Sequence, residues 1–264
     1  MDRPYWQQQT TTKPLFPDLL WSQPQNRLQA GKLLIIGGSS YSFAAPAAAW
    51  SEALRMGIGR ARVLLPDCLE KTLGKTIEDA HFLPSTPSGS FSQLGLGQIL
   101  DSCAWADGIL LVGNFGKNSE TAIVLEKLIT KYSGQLSVCG DAVDYFLNDP
   151  LAILERTLTT LVCDQGQLQK LAVAAKFEIA FTSTMSLMHL VVALHQFSDR
   201  YLTNIVLADG DQLLVAAAGQ VSSTPNQSKS NKPQLAAGTA VWWLQNPGQA
   251  FAAISSALIS RQTI

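Results

Sequence analysis

Short apolar runs, each stopped by a glycine or a polar turn and each followed by a helical stretch, recur along most of this chain. Lys32–Ile36 ends at Gly37-Gly38, and the residues beyond read as a helix over Ala45–Met56. Pro46 is tolerated in the first turn of that helix, and Gly57 and Gly59 stop it. The strand pattern returns at Arg62–Leu65, Gly108–Val112, Leu136–Cys139 and Leu158–Cys163. Between and after these runs, helices are predicted over Phe91–Ala104, Ser119–Tyr132, Pro150–Arg156, Gln165–Lys176 and Ser183–Gln196. Apolar runs this short, alternating with helices, describe strands buried on both faces. The expected fold is a three-layer α/β/α domain with a mainly parallel sheet. The end of the chain differs. Asn204–Leu207 and Leu213–Ala216 flank Asp209-Gly210-Asp211 and predict a C-terminal β-hairpin. A polar loop is expected over Ser222–Pro233, then helices over Ala236–Leu244 and Gly248–Arg261. Residues 1–30, rich in Gln, Thr and Pro, read as an arm, either poorly ordered or wrapped over the surface. Residues 31–264 read as one domain.

Composition removes several function classes. Lys and Arg number 19 against 20 Asp and Glu, a net charge of −1, which gives no field for nucleic acid or anionic lipid. Charged residues are 15% of the chain, against about 25% in an average soluble domain. So much neutral surface, with the apolar stretch Phe43–Trp50, suits a homo-oligomer, a dimer or tetramer. The apolar stretches Leu171–Phe181 and Leu187–Leu194 fall short of the ~20 residues that span a bilayer. The start, Met-Asp-Arg-Pro-Tyr-Trp, has no apolar core of a secretory signal. Cys68, Cys103, Cys139 and Cys163 form no close pair, and His81, His189 and His195 have no metal-ligand spacing. Reduced, mostly buried thiols in a cytoplasmic protein are expected.

In an open parallel sheet, ligands bind beyond the carboxyl ends of the strands. Four glycine-bearing stretches fall there: Gly37-Gly38-Ser39, Val112-Gly113-Asn114-Phe115-Gly116, Cys139-Gly140-Asp141, and Gly238-Thr239-Ala240. Glycine lets backbone amides approach a phosphate, and a helix N-terminus adds partial positive charge. Each stretch also reads as a plain turn or cap.

The order of these pieces resembles the ribokinase-like superfamily, and within it the ATP- or ADP-dependent NAD(P)H-hydrate dehydratases, often described as carbohydrate-kinase-like. Gly31-Lys-Leu-Leu-Ile-Ile-Gly-Gly-Ser39 is similar to that family's opening strand and Gly-Gly-Ser turn. Tyr41 and Ala45-Pro46 resemble its Tyr-x-Gly-Ala-Pro helix entry. Glu52-Ala-Leu-Arg-Met-Gly-Ile-Gly59 is close to its Ala-Leu-Arg-x-Gly-x-Gly. Ala106-Asp107 with Val112-Gly-Asn-Phe-Gly116 resembles its Ala-Asp and Gly-Pro-Gly-Leu-Gly segment, one residue shorter. Asp141-Ala-Val143 matches the second half of its Asp-Ala-Asp-Ala-Leu. The resemblance implies a ribokinase-like, Rossmann-like fold, ATP or ADP with Mg2+ as cofactors, and a nucleotide or dinucleotide ligand. It places Gly37, Gly38, Ser39, Tyr41, Asn114, Gly116 and Asp141 around a substrate pocket, and the amides of Gly238, Thr239 and Ala240 on phosphate.

The departures fall on the polar positions. The family's Gly-Thr-Gly-Asp opens a helix, and its Asp is the catalytic base; the matching stretch here is Gly238-Thr239-Ala240-Val241, with valine at the base position. Its His-Pro-Gly-Glu aligns with Asp164-Gln165-Gly166-Gln167, its Leu-Lys-Gly with Leu207-Ala208-Asp209, and the first Asp of its Asp-Ala-Asp with Cys139. Asp164 and Asp209, the latter with Asp211, are candidate replacements for the lost acid or base; a helix cap and a hairpin turn are the plain alternatives. Asp141 reads as a ligand contact or a cap, and Tyr41 as a ring stacker or a packing residue. Trp242 and Trp243 read as core or subunit contact. Two functions remain open. One is a catalytically impaired relative, a pseudoenzyme that keeps ligand binding or assembly; the other is an active dehydratase or small-molecule kinase using other residues.

Overall fold

A computed structural model describes residues 3–263 apart from 22, 23, 25, 74, 75 and 228–230. In chain order the elements are β1 (Trp6–Gln8), α1 (Pro17–Trp21), β2 (Lys32–Gly37), α2 (Ala44–Arg55), β3 (Arg60–Pro66), α3 (Glu70–Leu73) and β4 (Ala80–Leu83). Next come α4 (Leu96–Trp105), β5 (Gly108–Gly113), α5 (Ser119–Lys131), β6 (Gln135–Cys139), α6 (Leu151–Leu154), β7 (Thr159–Asp164) and α7 (Gln165–Ala174). The chain continues through α8 (Leu187–Arg200), β8 (Asn204–Asp209), β9 (Gln212–Ala217), β10 (Gln220–Pro225), α9 (Lys232–Gln245) and α10 (Ala250–Thr263). One sheet runs in the order β1-β10-β9-β8-β7-β6-β5-β2-β3-β4. It is parallel except where β9 pairs with β8 and β10.

The strand alternation builds two cores. Leu34, Ile36, Ile109, Leu111, Leu136 and Val138 face α4, α5, α7 and α8. Leu33, Ile35, Leu110, Val112 and Val162 face α2, α9 and α10. Helices therefore cover both faces, the three-layer arrangement that the alternation predicts. Trp242 and Trp243 lie in the second core. All four cysteines are free, and only Cys68 is exposed. Among the described residues no helix is long and apolar enough to cross a membrane.

Several boundaries differ from the sequence reading. Ser222–Pro225, expected in a loop, belongs to β10, because the hydroxyls of its buried serines find partners inside: Ser222 Oγ meets Ser255 Oγ at 2.7 Å. Residues 228–230 of the expected loop lie outside the described residues, and Lys232 and Pro233 already belong to α9. Helix α8 starts at Leu187, where the Ser186 hydroxyl accepts from the His189 amide, and not at Ser183. The helix expected over Pro150–Arg156 shortens to one turn, and β4 was not predicted. The arm's Trp6–Gln8 extends the sheet beyond β10, and Phe16 packs edge-on against Phe251.

The α2, α9 and α10 layer holds one buried charge cluster. Glu52 on α2 and Arg261 on α10 are 4% and 5% exposed, with Arg261 Nε 2.5 Å from Glu52 Oε1. Arg55 Nη2 lies 2.7 Å from the same oxygen. Burial opposes ionisation of Glu52, but the Arg55 hydrogen bond and the two guanidinium charges outweigh it and hold the carboxyl below its usual range. A depressed carboxyl stabilises the fold fully above the unfolded value, about 4.3 for Glu, and the contribution is lost as pH falls through the folded value. Removing one partner leaves a buried charge uncompensated. Glu52→Ala is expected to cost about 3–5 kcal/mol, and Glu52→Ala/Arg261→Met to recover most of it; urea midpoints at pH 7 and pH 3 measure both effects.

Candidate functional site

The strand order locates the site before any side chain is considered. From β2 the chain steps outward to β3 and β4, then returns to β5 on the other side of β2. The crevice between the carboxyl ends of β2 and β5 is thus a topological switch point, where open α/β sheets bind ligands. Two backbones meet there. A Cβ on Gly37 would lie 2.6 Å from the Gly113 carbonyl oxygen, so no larger residue fits without displacing β5. The Gly38 amide donates to that same oxygen at 3.0 Å.

Asn114 follows at φ 60°, a left-handed conformation that Asn tolerates better than most residues. Phe43 at the N-cap of α2 has no side-chain acceptor; Ser42 Oγ takes the Ala44 amide at 3.2 Å, and Asn114 Oδ1 accepts from the Ala45 amide at 2.8 Å and from Ser42 Oγ at 3.3 Å. Asn114 thereby occupies the amino end of α2 from outside. Ser39 is buried and closes a turn with Ser42, while Tyr41 at its tip is 83% exposed. The loop after β4 completes the rim. Ser40 Oγ donates to the Ser88 carbonyl at 3.0 Å, and Asn118 Nδ2 reaches Ser88 Oγ at 2.8 Å.

Asp141 closes the other side. Its carboxylate accepts from the Phe115 amide at 3.4 Å and the Gly116 amide at 3.3 Å. Burial pushes its carboxyl above the usual range, against the pull of these amides. Tyr145 hydroxyl donates to the Gly116 carbonyl. A cavity of about 340 Å³ lies between Gly116, Lys117, Asn118, Asp141, Asp144 and Tyr145. A larger hollow of about 400 Å³, beside Arg27, Trp50, Arg60 and Glu78, sits at the amino ends of the strands, away from the switch point. Of the sequence candidates, Gly37, Gly38, Ser39, Asn114, Gly116 and Asp141 gather at the crevice. Asn118, Lys117 and Tyr145 were missed. Asn118 carried a signal: it precedes the predicted helix at Ser119 and caps it, accepting from the Glu120 amide at 2.8 Å.

Gly238-Thr239-Ala240, expected to open a helix, does not. Helix α9 begins at Lys232, so Gly238, Thr239 and Ala240 lie inside it and are buried. Their amides serve the helix ladder, and Thr239 Oγ1 donates to the Leu235 and Ala236 carbonyls. Gly238 is a packing residue: a Cβ there would lie 2.8 Å from Arg261 Cδ. Val241 is a core residue. The helix opens instead at Asn231-Lys232-Pro233. Asn231 Oδ1 takes the Gln234 amide at 3.0 Å, and Pro233 has no amide to offer. Lys232 Nζ lies 2.7 Å from Asp164 Oδ2 and 3.1 Å from Gln167 Oε1. Asp164 is the N-cap of α7 in a capping box with Gln167. Burial works against its ionisation, but the Lys232 hydrogen bond and charge prevail and hold the carboxyl low. Gln167 Nε2 donates on to the Gly140 carbonyl at 2.7 Å. Asp209 and Asp211 flank Gly210 in the β8–β9 turn. Among the described residues no three His, Cys, Asp or Glu side chains gather as a metal-binding group.

Two substitutions separate these roles. Asn114→Ala uncaps α2 and forces alanine into a left-handed φ; it is expected to cost about 1–2 kcal/mol in chemical denaturation. Gly238→Ala is expected to destabilise through Arg261, and Gly238→Ala/Arg261→Ala to show a coupling of about 0.5–3 kcal/mol in a double-mutant cycle.

No protein-family model matches the sequence, and no curated protein matches it by sequence search. Solved structures do match. A ribokinase-like superfamily protein from Enterococcus faecalis superposes with a TM-score of 0.69 at 16% identity, covering 99% of this chain and 88% of that one. A hypothetical protein from Streptococcus mutans gives 0.67 at 15%, over 89% and 82%. An ADP/ATP-dependent NAD(P)H-hydrate dehydratase from Bacillus subtilis, co-crystallised with ATP and Mg2+, gives 0.63 at 13%, over 92% and 85%. Spread over nearly the whole chain, these likenesses establish that the protein has the ribokinase-like fold.

Proposed function

We propose that this protein is a ribokinase-fold ligand binder without ATP- or ADP-dependent dehydratase or kinase turnover. One observation carries the reading. No Asp or Glu occurs between Asp211 and Ile264. Helix α9, whose opening turn supplies the catalytic carboxylate in the resembled family, therefore has none to supply, whichever alignment is chosen. The same turn fits a nucleotide phosphate poorly. Its free donors are reduced by Pro233 and by the Asn231 cap, and its lysine is engaged by Asp164. General acid–base groups contribute about 10²–10⁴ in rate, so their loss at this turn removes most turnover.

The ligand that the geometry supports presents hydroxyl or amino donors to the Asp141 carboxylate; the ribose end of a nucleotide or dinucleotide is one such group. The cavity volume of about 340 Å³ suits a small molecule or one end of a larger one. A second reading, turnover through Asp141 itself, is favoured by the raised carboxyl inside a cavity.

One variant addresses both. An elevated carboxyl lowers stability as pH rises from its unfolded value, about 3.9, through its folded value, so the Asp141 contribution in the unaltered protein is expected to fall over that range. Asp141→Asn is expected to abolish ligand-induced shifts in a panel of adenosine, ATP, ADP, NADH and hydrated NADH. A ligand at 100 times its Kd stabilises the unaltered protein by about 2.7 kcal/mol, an easily read shift. In a coupled assay with ATP or ADP, hydrated NADH is expected to show no turnover beyond the uncatalysed rate. Turnover comparable to an active dehydratase run beside it contradicts the proposal, and its loss in Asp141→Asn assigns it to the second reading.

A further inference from the structure

The N-terminal arm is held at the far edge of the sheet by a small, side-chain-specific set of contacts. β1 pairs in parallel with β10 over three residues, Trp6 with Val221, Gln7 with Ser222 and Gln8 with Ser223. The Val221 amide donates to the Tyr5 carbonyl at 2.7 Å, and the Gln9 amide to the Ser223 carbonyl at 3.0 Å. Trp6 Nε1 donates to Ser223 Oγ at 3.0 Å, and the Tyr5 ring stacks on His195 at 3.8 Å between centroids. Gln9 is 2% exposed and fully matched: Nε2 donates to Thr224 Oγ1 at 2.9 Å and Ser255 O at 2.8 Å, and Oε1 accepts from the Leu15 amide at 3.3 Å.

Without the arm, β10 is a sheet edge with free backbone groups, the kind of edge to which another chain pairs. The topology makes exchange feasible. β1 and β2 are seven positions apart in the sheet, about 34 Å at the usual strand spacing, and residues 9–31 cross that distance. A three-residue strand at the end of so long a connection belongs to the low-stability end of a fold. We propose that Tyr5–Gln9 is an exchangeable strap. It leaves β10 in a local opening, and the vacated edge takes the same segment from a second copy of this chain. A second copy is the fitting partner because the edge reads side chains as well as backbone. The buried sites for Gln9 and the indole of Trp6 match this segment, and exchange recreates the contacts of Tyr5, Trp6 and Gln9 with His195, β10 and Ser255.

The test uses full-length copies in a Cys68→Ser background, one carrying Gln8→Cys and the other Ser223→Cys. Mixed at high concentration, equilibrated and then oxidised, they are expected to form a disulfide-linked heterodimer whose yield rises with concentration. A yield no greater than that of the Ser223→Cys copy mixed with a Ser133→Cys copy, whose cysteine lies at an exposed site outside the arm, overturns the proposal. Hydrogen exchange on the unaltered protein needs no folding variant. The Val221 and Gln9 amides are expected to show protection at least tenfold below that of Val162 in β7, about 1.4 kcal/mol less. Exchange of all three only through global unfolding overturns the proposal as well.

Discussion

The close approach of two backbones at Gly37 and Gly113 organises the functional end of the molecule. Because neither residue carries a side chain, β2 and β5 run side by side to their last residues, and the Gly38 amide bonds the Gly113 carbonyl. The chain then leaves β5 through Gly113 and Asn114, both at positive φ, which turns Asn114 back toward α2. Its carboxamide caps that helix, and the next two amides are left to hold Asp141. A side chain at Gly37 would spread the strands, and the cap, the serine-lined rim and the carboxylate would lose their common frame.

The second half of the switch-point edge is built differently. Beyond β6 and β7 the strand ends are occupied by a chain of contacts from Lys232 through Asp164 and Gln167 to Gly140. These bonds engage the polar groups that an anion would otherwise meet. Around Asp141 the carboxyl stays raised by burial, which is unfavourable for stability. One end of the edge is locked by its own side chains and the other is open.

Much of this frame was legible in the sequence. The runs at Lys32, Gly108, Leu136 and Leu158 became central strands because two-sided burial leaves an unbroken apolar signature. The glycines of the crevice were found from their position after strands. The misses share a cause, polar residues buried with partners distant in sequence. β10 reads as a loop because its serines bond Ser255 and the arm. Gly238-Thr239 reads as a helix start, although Asn231 followed by Pro233 is the stronger N-terminal signal. The glycine is there for Arg261 on the neighbouring helix α10, invisible in local pattern. Nothing near Lys232 announces Asp164, which is distant in sequence.

We propose that the opening turn of α9 does not bind a nucleotide's phosphates while the crevice at Asp141 binds a ligand. Amide chemical-shift mapping during titration with ATP and Mg2+ tests it directly. The account predicts that the amides of Lys232, Gln234 and Leu235 stay unperturbed, with any shifts confined to Phe115, Gly116 and their neighbours. Saturable shifts at the α9 amides, with release of Lys232 from Asp164, would contradict it.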